Sequence, residues 1–521
     1  MKFSLRSGKF KKRLLLFGKV VLNFFGGTEA KVLPFLILLT IYFLLSGAFA
    51  QLFEMPQGIH FIRQTDSLSF LSNYFRFDAG FFEPQVYNLS SAGGKAVNEF
   101  PIIYFFTALL YRLFGEHDFL LRSLNFLISL AGFIALYKII YLIIKDSFYT
   151  YFFTFLMLSS TVVLYYFNNF LPDPAALGFT LVGWYFFLKV FYSSADKYFI
   201  AISFFFFTLA SLIKVTYFIH PVAIVVSLLI AHFSLKKEKT KAGFMNYTLI
   251  AFIFSLILVL SWWFVFVLDY NQSAGDKYFL TTIRPVWSLS KLEIAEVWHS
   301  VSISWHNHYL YQNSYYLIAL LLLFGLPFAL FKKSFMNFVT IALLAGSAVL
   351  FTVFYAQYRD HDYYFLNYFI PLVFLLLHAF NAVKVKFPSV INAVYLKLIL
   401  VLFCAFSLFD TAVMVNKRYE NSRDIFSEVG FVLHDFDKIL DSLEISGKAK
   451  FIIYPDYTKN GGLYTIKRKG WNISETDSGI YARIDHYSAA GAEYLITIKP
   501  LTELTFDTVY AKESLTIYQL Q

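Results

Sequence analysis

Long apolar runs alternate along the chain with short polar connections, and the lengths of the runs decide what they are. About 20 predominantly apolar residues cross a bilayer as a helix. On that measure the pattern predicts spans at 32–50, 119–144, 148–168, 174–193, 198–214, 217–234, 247–268, 314–331, 335–355, 364–382 and 394–413, about eleven transmembrane helices. The longest polar connection in this part, 51–118, follows the first run. Inside it Pro101 opens PIIYFFTALLYRLFG, an apolar segment of the kind that lies along a membrane surface. After the last run the pattern changes. A helical period near Asp424–Leu443 and short β-rich runs at Phe451–Tyr454, Tyr494–Ile498, Thr505–Tyr510 and Leu515–Tyr518, punctuated by Asn460-Gly461-Gly462, predict a small α/β domain over 414–521. The fold class is an all-α polytopic membrane protein with a small C-terminal α/β domain.

Composition agrees with that class. Of the 521 residues 58% are hydrophobic and 15% charged, more apolar surface than a soluble domain can bury. The net charge of +10 does not point to nucleic acid, because the basic residues cluster at the ends of apolar runs, where anionic membrane lipids would meet them. A single cysteine, Cys404, inside an apolar run, excludes a disulfide framework and a thiolate metal site.

The placement of lysine and arginine orients the spans. Residues 1–31 are polar and basic, and Lys145, the KKEKTK run at 236–241, Lys332 with Lys333, and Lys384 with Lys386 fall in alternate connections. The opposite connections, 51–118, 169–173, 269–313 and 356–363, hold most of the acids, tryptophans and histidines of the membrane part. Short cytoplasmic loops carry the excess of Lys and Arg. The N-terminal segment 1–31 is therefore expected in the cytoplasm, the membrane domain over 32–413, and both the outer loop 51–118 and the C-terminal domain 414–521 on the extracytoplasmic face.

Ionisable groups near membrane depth are expensive, so they persist where they pair or act. Asp78 stands among aromatic residues in Phe77-Asp78-Ala79-Gly80-Phe81-Phe82. Such surroundings raise a carboxylate's pKa and make it a better base toward a hydroxyl; capping of the next helix is the competing reading. Glu99, in Asn98-Glu99-Phe100-Pro101, suits the positive end of the segment that Pro101 opens. Asp173 lies between Pro172 and Pro174 in a very short outer turn, which either needs it for the turn or aims it at the first loop. Lys214 sits at the outer end of two apolar segments, where it snorkels or meets an anion. Arg359, His361 and Tyr363, in YRDHDYY, combine groups suited to phosphate oxygens, against the alternative of local Arg–Asp pairing in an interfacial aromatic belt. His299, His306 and His308 have no evident further ligand at metal-site spacing, so no metal is assigned, and a divalent ion stays open. No Gly-rich nucleotide loop, G-x-S-x-G elbow or H-E-x-x-H is present. An activated donor resident in the membrane fits better than a nucleotide.

These residues carry a resemblance through their order. A basic N-terminus, a first span, an outer loop with an early Asp, and a Pro-led segment ending in LYRLFGEHDFLLRSLNFL are followed by Leu-Pro-Asp-Pro at 171–174, Ile-Lys-Val-Thr at 213–216 and His-Asp-Tyr-Tyr at 361–364. The series, over roughly the first 380 residues, resembles the bacterial dolichyl-phosphate-mannose-protein mannosyltransferase-like group of the GT-C glycosyltransferases, which includes the lipid A aminoarabinose transferases. The resemblance implies a helical enzyme of the bacterial plasma (inner) membrane that takes a sugar from a polyprenyl phosphate, acts on the extracytoplasmic face and inverts the anomeric centre. The Asp of its first outer loop is the catalytic base, which falls here on Asp78. The phosphate leaves as an anion, so Lys214, Arg359 and His361, with Tyr363, are expected to face it, and Glu99 and Asp173 to support the loop or the acceptor. Phosphate is a good leaving group, so no cofactor is required.

Two departures keep the substrates open. Ala79 follows Asp78 where eukaryotic protein mannosyltransferases have an Asp-Glu pair, and Glu99-Phe100-Pro101 stands where aminoarabinose transferases have a Lys just ahead of the Pro. The acceptor is accordingly a lipid, a glycan or a protein. A transporter or flippase, or a non-catalytic cell-envelope assembly subunit, is the alternative class; it would tolerate loss of Asp78.

Overall fold

In chain order, the helices of the membrane part and its outer loop are α1 (Val32–Leu45), α2 (Phe61–Arg76), α3 (Ile102–Phe114), α4 (Phe119–Ile144), α5 (Ser147–Leu158), α6 (Asp173–Ser193), α7 (Tyr198–Ile213), α8 (Val215–Ser234), α9 (Phe244–Ser273), α10 (Gln312–Ala329), α11 (Phe335–Val353), α12 (Asp362–Lys386) and α13 (Val394–Glu420). The structure is a computed structural model that describes residues 32–520 apart from 194–195, 235–241, 276–277, 280–282, 330–332, 421–422 and 502–503. The basic segment 1–31, the KKEKTK run and Lys332 lie outside the described residues.

Among the described residues eight helices, α4, α6 and α8 to α13, are long and apolar enough to cross a membrane. The protein is an integral membrane protein. The three other expected spans are shorter helices, and two of them are visibly interrupted. α1 stops at Leu45 and the chain turns at Gly47, whose φ of +72° suits glycine, before the short helix Ala48–Gln51. α5 ends at Leu158, and the Ser160 hydroxyl accepts a hydrogen bond from Val163 N at 3.2 Å, capping a separate helix Thr161–Tyr166. α7, with 16 residues, gives way at Lys214 to extended backbone.

Close helix approach depends on small residues where α4 crosses α6. A Cβ added to Gly132 would lie 2.7 Å from the Gly178 Cα, so the two backbones meet there. Elsewhere aromatic rings fill the space between helices, as where Phe35 of α1 stacks on Tyr137 of α4 at 4.6 Å.

The outer loop folds back as α2, which buries its polar positions as well as the face carrying Phe61, Leu68 and Leu71. Gln64, Thr65, Asp66, Ser67, Ser69, Ser72 and Asn73 are all covered. Part of the cover is the C-terminal domain. Its sheet has the order β2-β1-β3-β5-β4, with β1 (Phe451–Tyr454), β2 (Gly470–Asn472), β3 (Tyr494–Thr497), β4 (Asp507–Lys512) and β5 (Leu515–Gln519). β1 pairs in parallel with β2 and β3, while β5 pairs antiparallel with β3 and β4. The expected α/β character is present. The helical stretch before the sheet is two short helices, Glu428–Val432 and Phe436–Ser442, separated around Asp435, which takes a left-handed conformation. The Asn460-Gly461-Gly462 run opens the short helix Gly461–Thr465. Asn460 reaches α2, and Lys469 Nζ donates to Gln85 Oε1 at 2.7 Å, so the domain is seated on the outer loop. Loop 51–118 and the C-terminal domain therefore share one face of the molecule.

Candidate active site

Three polar groups of side chains converge around Tyr363. The first starts on α2, where Arg63 and Asp66 are one turn apart and therefore on one face. Arg63 Nη1 lies 3.6 Å from Asp66 Oδ2, and its Nη2 donates to both Glu99 oxygens at 3.2 and 3.1 Å. Glu99 also accepts from the Tyr104 hydroxyl at 2.6 Å, and that hydroxyl is 3.1 Å from Ser67 Oγ. The Tyr278 hydroxyl donates to Asp66. Asp66 is only 3% exposed. Burial is the dominant influence on its carboxyl and raises it to about 6, while Arg63 and the Tyr278 hydroxyl pull the other way.

The second group forms where α7 ends. Lys214 Nζ is 2.5 Å from Asp173 Oδ1 at the start of α6, and it lies 4.9 and 4.4 Å from the ring centroids of Tyr363 and Tyr364. Thr216, just beyond, donates to Asn367 Oδ1 at 2.6 Å, tying the start of α8 to the first turns of α12.

The third group centres on Asp362, which is fully buried and accepts from Arg418 Nη2 at 2.8 Å and Tyr166 Oη at 2.6 Å, with His60 Nε2 at 3.3 Å. These partners come from the end of α13, from the capped helix after α5 and from the residue just ahead of α2. The rings of His60 and Tyr363 are 4.9 Å apart, those of His60 and His361 5.3 Å. Burial, with the ring of His60 and the charges of Lys214 and Arg63 nearby, holds His361 down at about 3. It is a neutral imidazole at ordinary pH, a hydrogen-bonding group and not a cation.

The structure thus brings together Glu99, Asp173, Lys214, His361 and Tyr363. It does not bring Asp78 or Arg359 to them. Asp78 is 84% exposed at the side chain and pairs at 2.7 Å with Arg112 of α3, itself half exposed. Its aromatic sequence neighbours turn away to pack elsewhere, Phe77 against Tyr87 and Phe81 against Phe100 and Phe105, so they do not desolvate it. Arg359 is spent on Asp360 at 3.2 Å and Glu296 at 3.4 Å, both exposed, which is the local pairing that its sequence allowed. His306 stacks on Tyr315 at 4.1 Å. Among the described residues no three His, Cys, Asp or Glu side chains converge as metal ligands.

His60, Arg63, Asp66, Tyr104, Tyr166, Tyr278 and Arg418 are not among the residues expected from the sequence, and Asp362 enters there only within the His-Asp-Tyr-Tyr motif. One signal was there to be used: Arg63-Gln64-Thr65-Asp66 is a charged pair at helical spacing in the same outer loop as Asp78.

Comparison with known proteins agrees with the fold. Residues 98–263 match the family described as dolichyl-phosphate-mannose-protein mannosyltransferase. No curated relative matches the chain. Among solved structures the chain is similar to ArnT from Cupriavidus metallidurans in the apo state, at 12% identity and TM-score 0.59 over 94% of this chain and 97% of that one. The same protein bound to undecaprenyl phosphate gives 11% identity and TM-score 0.61 over 94% and 98%. The oligosaccharyltransferase of Archaeoglobus fulgidus, in complex with Zn and sulfate, gives 10% identity and TM-score 0.54 over 88% of this chain and 67% of that one. The chain has an ArnT-like fold, with the small C-terminal α/β domain in place, and the resemblance read from the order of its motifs is borne out.

Proposed function

We propose that the chain is an inverting glycosyltransferase that moves a sugar from a polyprenyl-phosphate donor to a hydroxyl of a lipid, glycan or protein acceptor, with Asp66 as the base. The observation that carries this reading is a buried carboxylate on the first outer loop, held between Arg63 and Tyr278 in a polar cluster that also contains Lys214. Burial makes Asp66 a stronger proton acceptor than a free aspartate. In the scheme the acceptor oxygen attacks the anomeric carbon as its proton passes to Asp66. The bond from that carbon to the phosphate oxygen breaks on the opposite side of the sugar, and the phosphate leaves with the electron pair. Lys214 and Arg63 offset the charge that develops. His361 and Tyr363 serve as neutral hydrogen-bonding and stacking groups, Asp173 keeps Lys214 in place, and Glu99 orients Arg63.

A groove of 820 Å³ between α7 and α9 supports the lipid character of the donor. Its walls include Phe100, Ile102, Phe204, Leu212, Ile250 and Phe254. At its outer end Phe100 N donates to Leu212 O at 3.2 Å, and the chain neighbours of these residues, Glu99 and Ile213-Lys214, lead into the polar cluster. An isoprenoid tail in this groove would bring its phosphate toward Lys214. The distribution of Lys and Arg supports an extracytoplasmic site for this chemistry, and a bacterial plasma membrane is the setting that the family resemblance implies.

The test is transfer of labelled sugar from polyprenyl phosphate to endogenous acceptors in membranes holding the wild-type chain or Asp66→Asn at matched expression. Loss of transfer with retained donor binding supports the scheme and the labelled product identifies the acceptor. Full transfer by the variant removes Asp66 from the mechanism.

A further inference from the structure

The loop from Asp456 to Gly461 of the C-terminal domain reaches α2 at the turn that carries Asp66. Asn460 is buried there. Its Oδ1 accepts from Ser69 Oγ at 3.3 Å and from Tyr87 N at 3.1 Å, and its Nδ2 donates to Thr65 O at 3.2 Å, one residue before Asp66. Lys459, the preceding residue, donates from Nζ to the Tyr278 carbonyl at 2.7 Å and lies 5.3 Å from the centroid of that ring. Tyr278 in turn donates its hydroxyl to Asp66. Two separate routes therefore connect this domain to the carboxylate, one through the backbone of α2 and one through Tyr278.

We propose that Lys459 of the C-terminal domain is a positioning residue of the transfer site, holding Tyr278 on Asp66 and placing a positive charge that favours the carboxylate form. The inference rests on the reading of Asp66 as the base. Among the described residues the groups that face Asp66 are Arg63 from α2 itself, Glu99 from the loop before α3, Tyr278 from the segment after α9, and Lys459 from the C-terminal domain. Tyr104 acts on it only through Glu99, and Asp456 bears on Tyr278. Arg63 is shared between Asp66 and Glu99, so its charge is divided between two carboxylates. Lys459 brings its charge from another domain and reaches the same site through its hydrogen bond to the Tyr278 carbonyl. With Lys459 gone, one of the influences that oppose burial is lost, and the proton on Asp66 is held more tightly.

The experiment is the pH profile of transfer by the full-length protein in membranes, with the donor that the wild type accepts, for Lys459→Met, Lys459→Arg, Tyr278→Phe and Asp66→Asn. In Lys459→Met the acidic limb is expected to move up by on the order of half a pH unit, so transfer falls about threefold on that limb and stays near wild type above it. Lys459→Arg is expected to restore the limb, and Tyr278→Phe to move it in the same direction as Lys459→Met. A Lys459→Met limb that does not move, or a loss equal at every pH in the Met and Arg variants, overturns the inference and leaves Asp66 as the base untouched. Full transfer by Asp66→Asn overturns the base assignment itself, and that outcome is recognisable because it does not depend on Lys459.

Discussion

The Lys214 ammonium lies 2.5 Å from the Asp173 carboxylate, and both groups are largely buried between the start of α6 and the end of α7. Removing one partner of such a pair leaves an uncompensated charge, which costs about 3–5 kcal/mol. Lys214→Met is expected to lower the thermal stability of the detergent-purified protein and to abolish transfer. The double variant Lys214→Met with Asp173→Asn removes both charges and is expected to regain most of the stability without regaining transfer. Recovery of transfer in the double variant would show that Lys214 serves Asp173 and not the donor phosphate.

Asp78 and Asp66 belong to the same outer loop, and their surroundings predict opposite outcomes. Asp78→Asn breaks an exposed pair with Arg112, of a kind that contributes ~0–1 kcal/mol, and transfer should stay within about twofold of wild type. Asp66→Asn should reduce transfer about 100-fold or more, the usual contribution of a general base. Initial rates in membranes at matched expression decide between the two positions.

Wild-type transfer should show an acidic limb. Asp66 accepts a proton only as the carboxylate, and its carboxyl is raised to about 6 by burial. Activity is therefore full above that pH and falls as pH drops through it, by about tenfold per unit well below the midpoint. A limb at the pH of an ordinary aspartate would mean that the carboxylate in the reaction is not desolvated.

The crossing of α4 and α6 tolerates no side chain at Gly178. A Cβ there would meet Ile128 O at 2.8 Å, so Gly178→Ala must push the helices apart, at a cost of about 1–3 kcal/mol. Thermal unfolding should register this, and Gly93→Ala of the outer loop, where a Cβ meets nothing but φ is +67°, separates backbone strain from steric contact.

Asn460→Ala removes three hydrogen bonds between the C-terminal domain and the outer loop and leaves Ser69 and the Thr65 carbonyl with fewer partners. The expected loss is about 1–3 kcal/mol. Limited proteolysis should detect it as faster cleavage between α13 and the sheet than in the wild-type protein.

Much of the architecture was legible before any coordinates. Apolar length marked the membrane segments because a bilayer demands about 20 apolar residues of any helix that crosses it. What blurred the count was polar detail: Ser159-Ser160 and Gly47 break two runs that composition alone reads as continuous. The site was half legible. Glu99, Asp173, Lys214, His361 and Tyr363 announced themselves because a charged or polar residue between apolar runs is conspicuous. Asp66 did not, because Gln64-Thr65-Asp66-Ser67 is a polar run within a long polar connection, where one more acid does not stand out.

By itself the sequence determined the long apolar segments and the change to strand patterning near the C-terminus, since hydropathy, helix length and strand patterning act over neighbouring residues; the ArnT-like class of fold came from the resemblance carried by the order of its motifs. Tertiary structure alone decided which acids are dry. Asp78 has aromatic neighbours in sequence and water around it in space, whereas Asp66 has polar neighbours in sequence and is covered by Tyr278 and a domain that begins hundreds of residues later. Arg418 is joined to Asp362 for the same reason. Desolvation and ion pairing fall off over a few ångströms, and those distances exist only once the chain has folded back on itself.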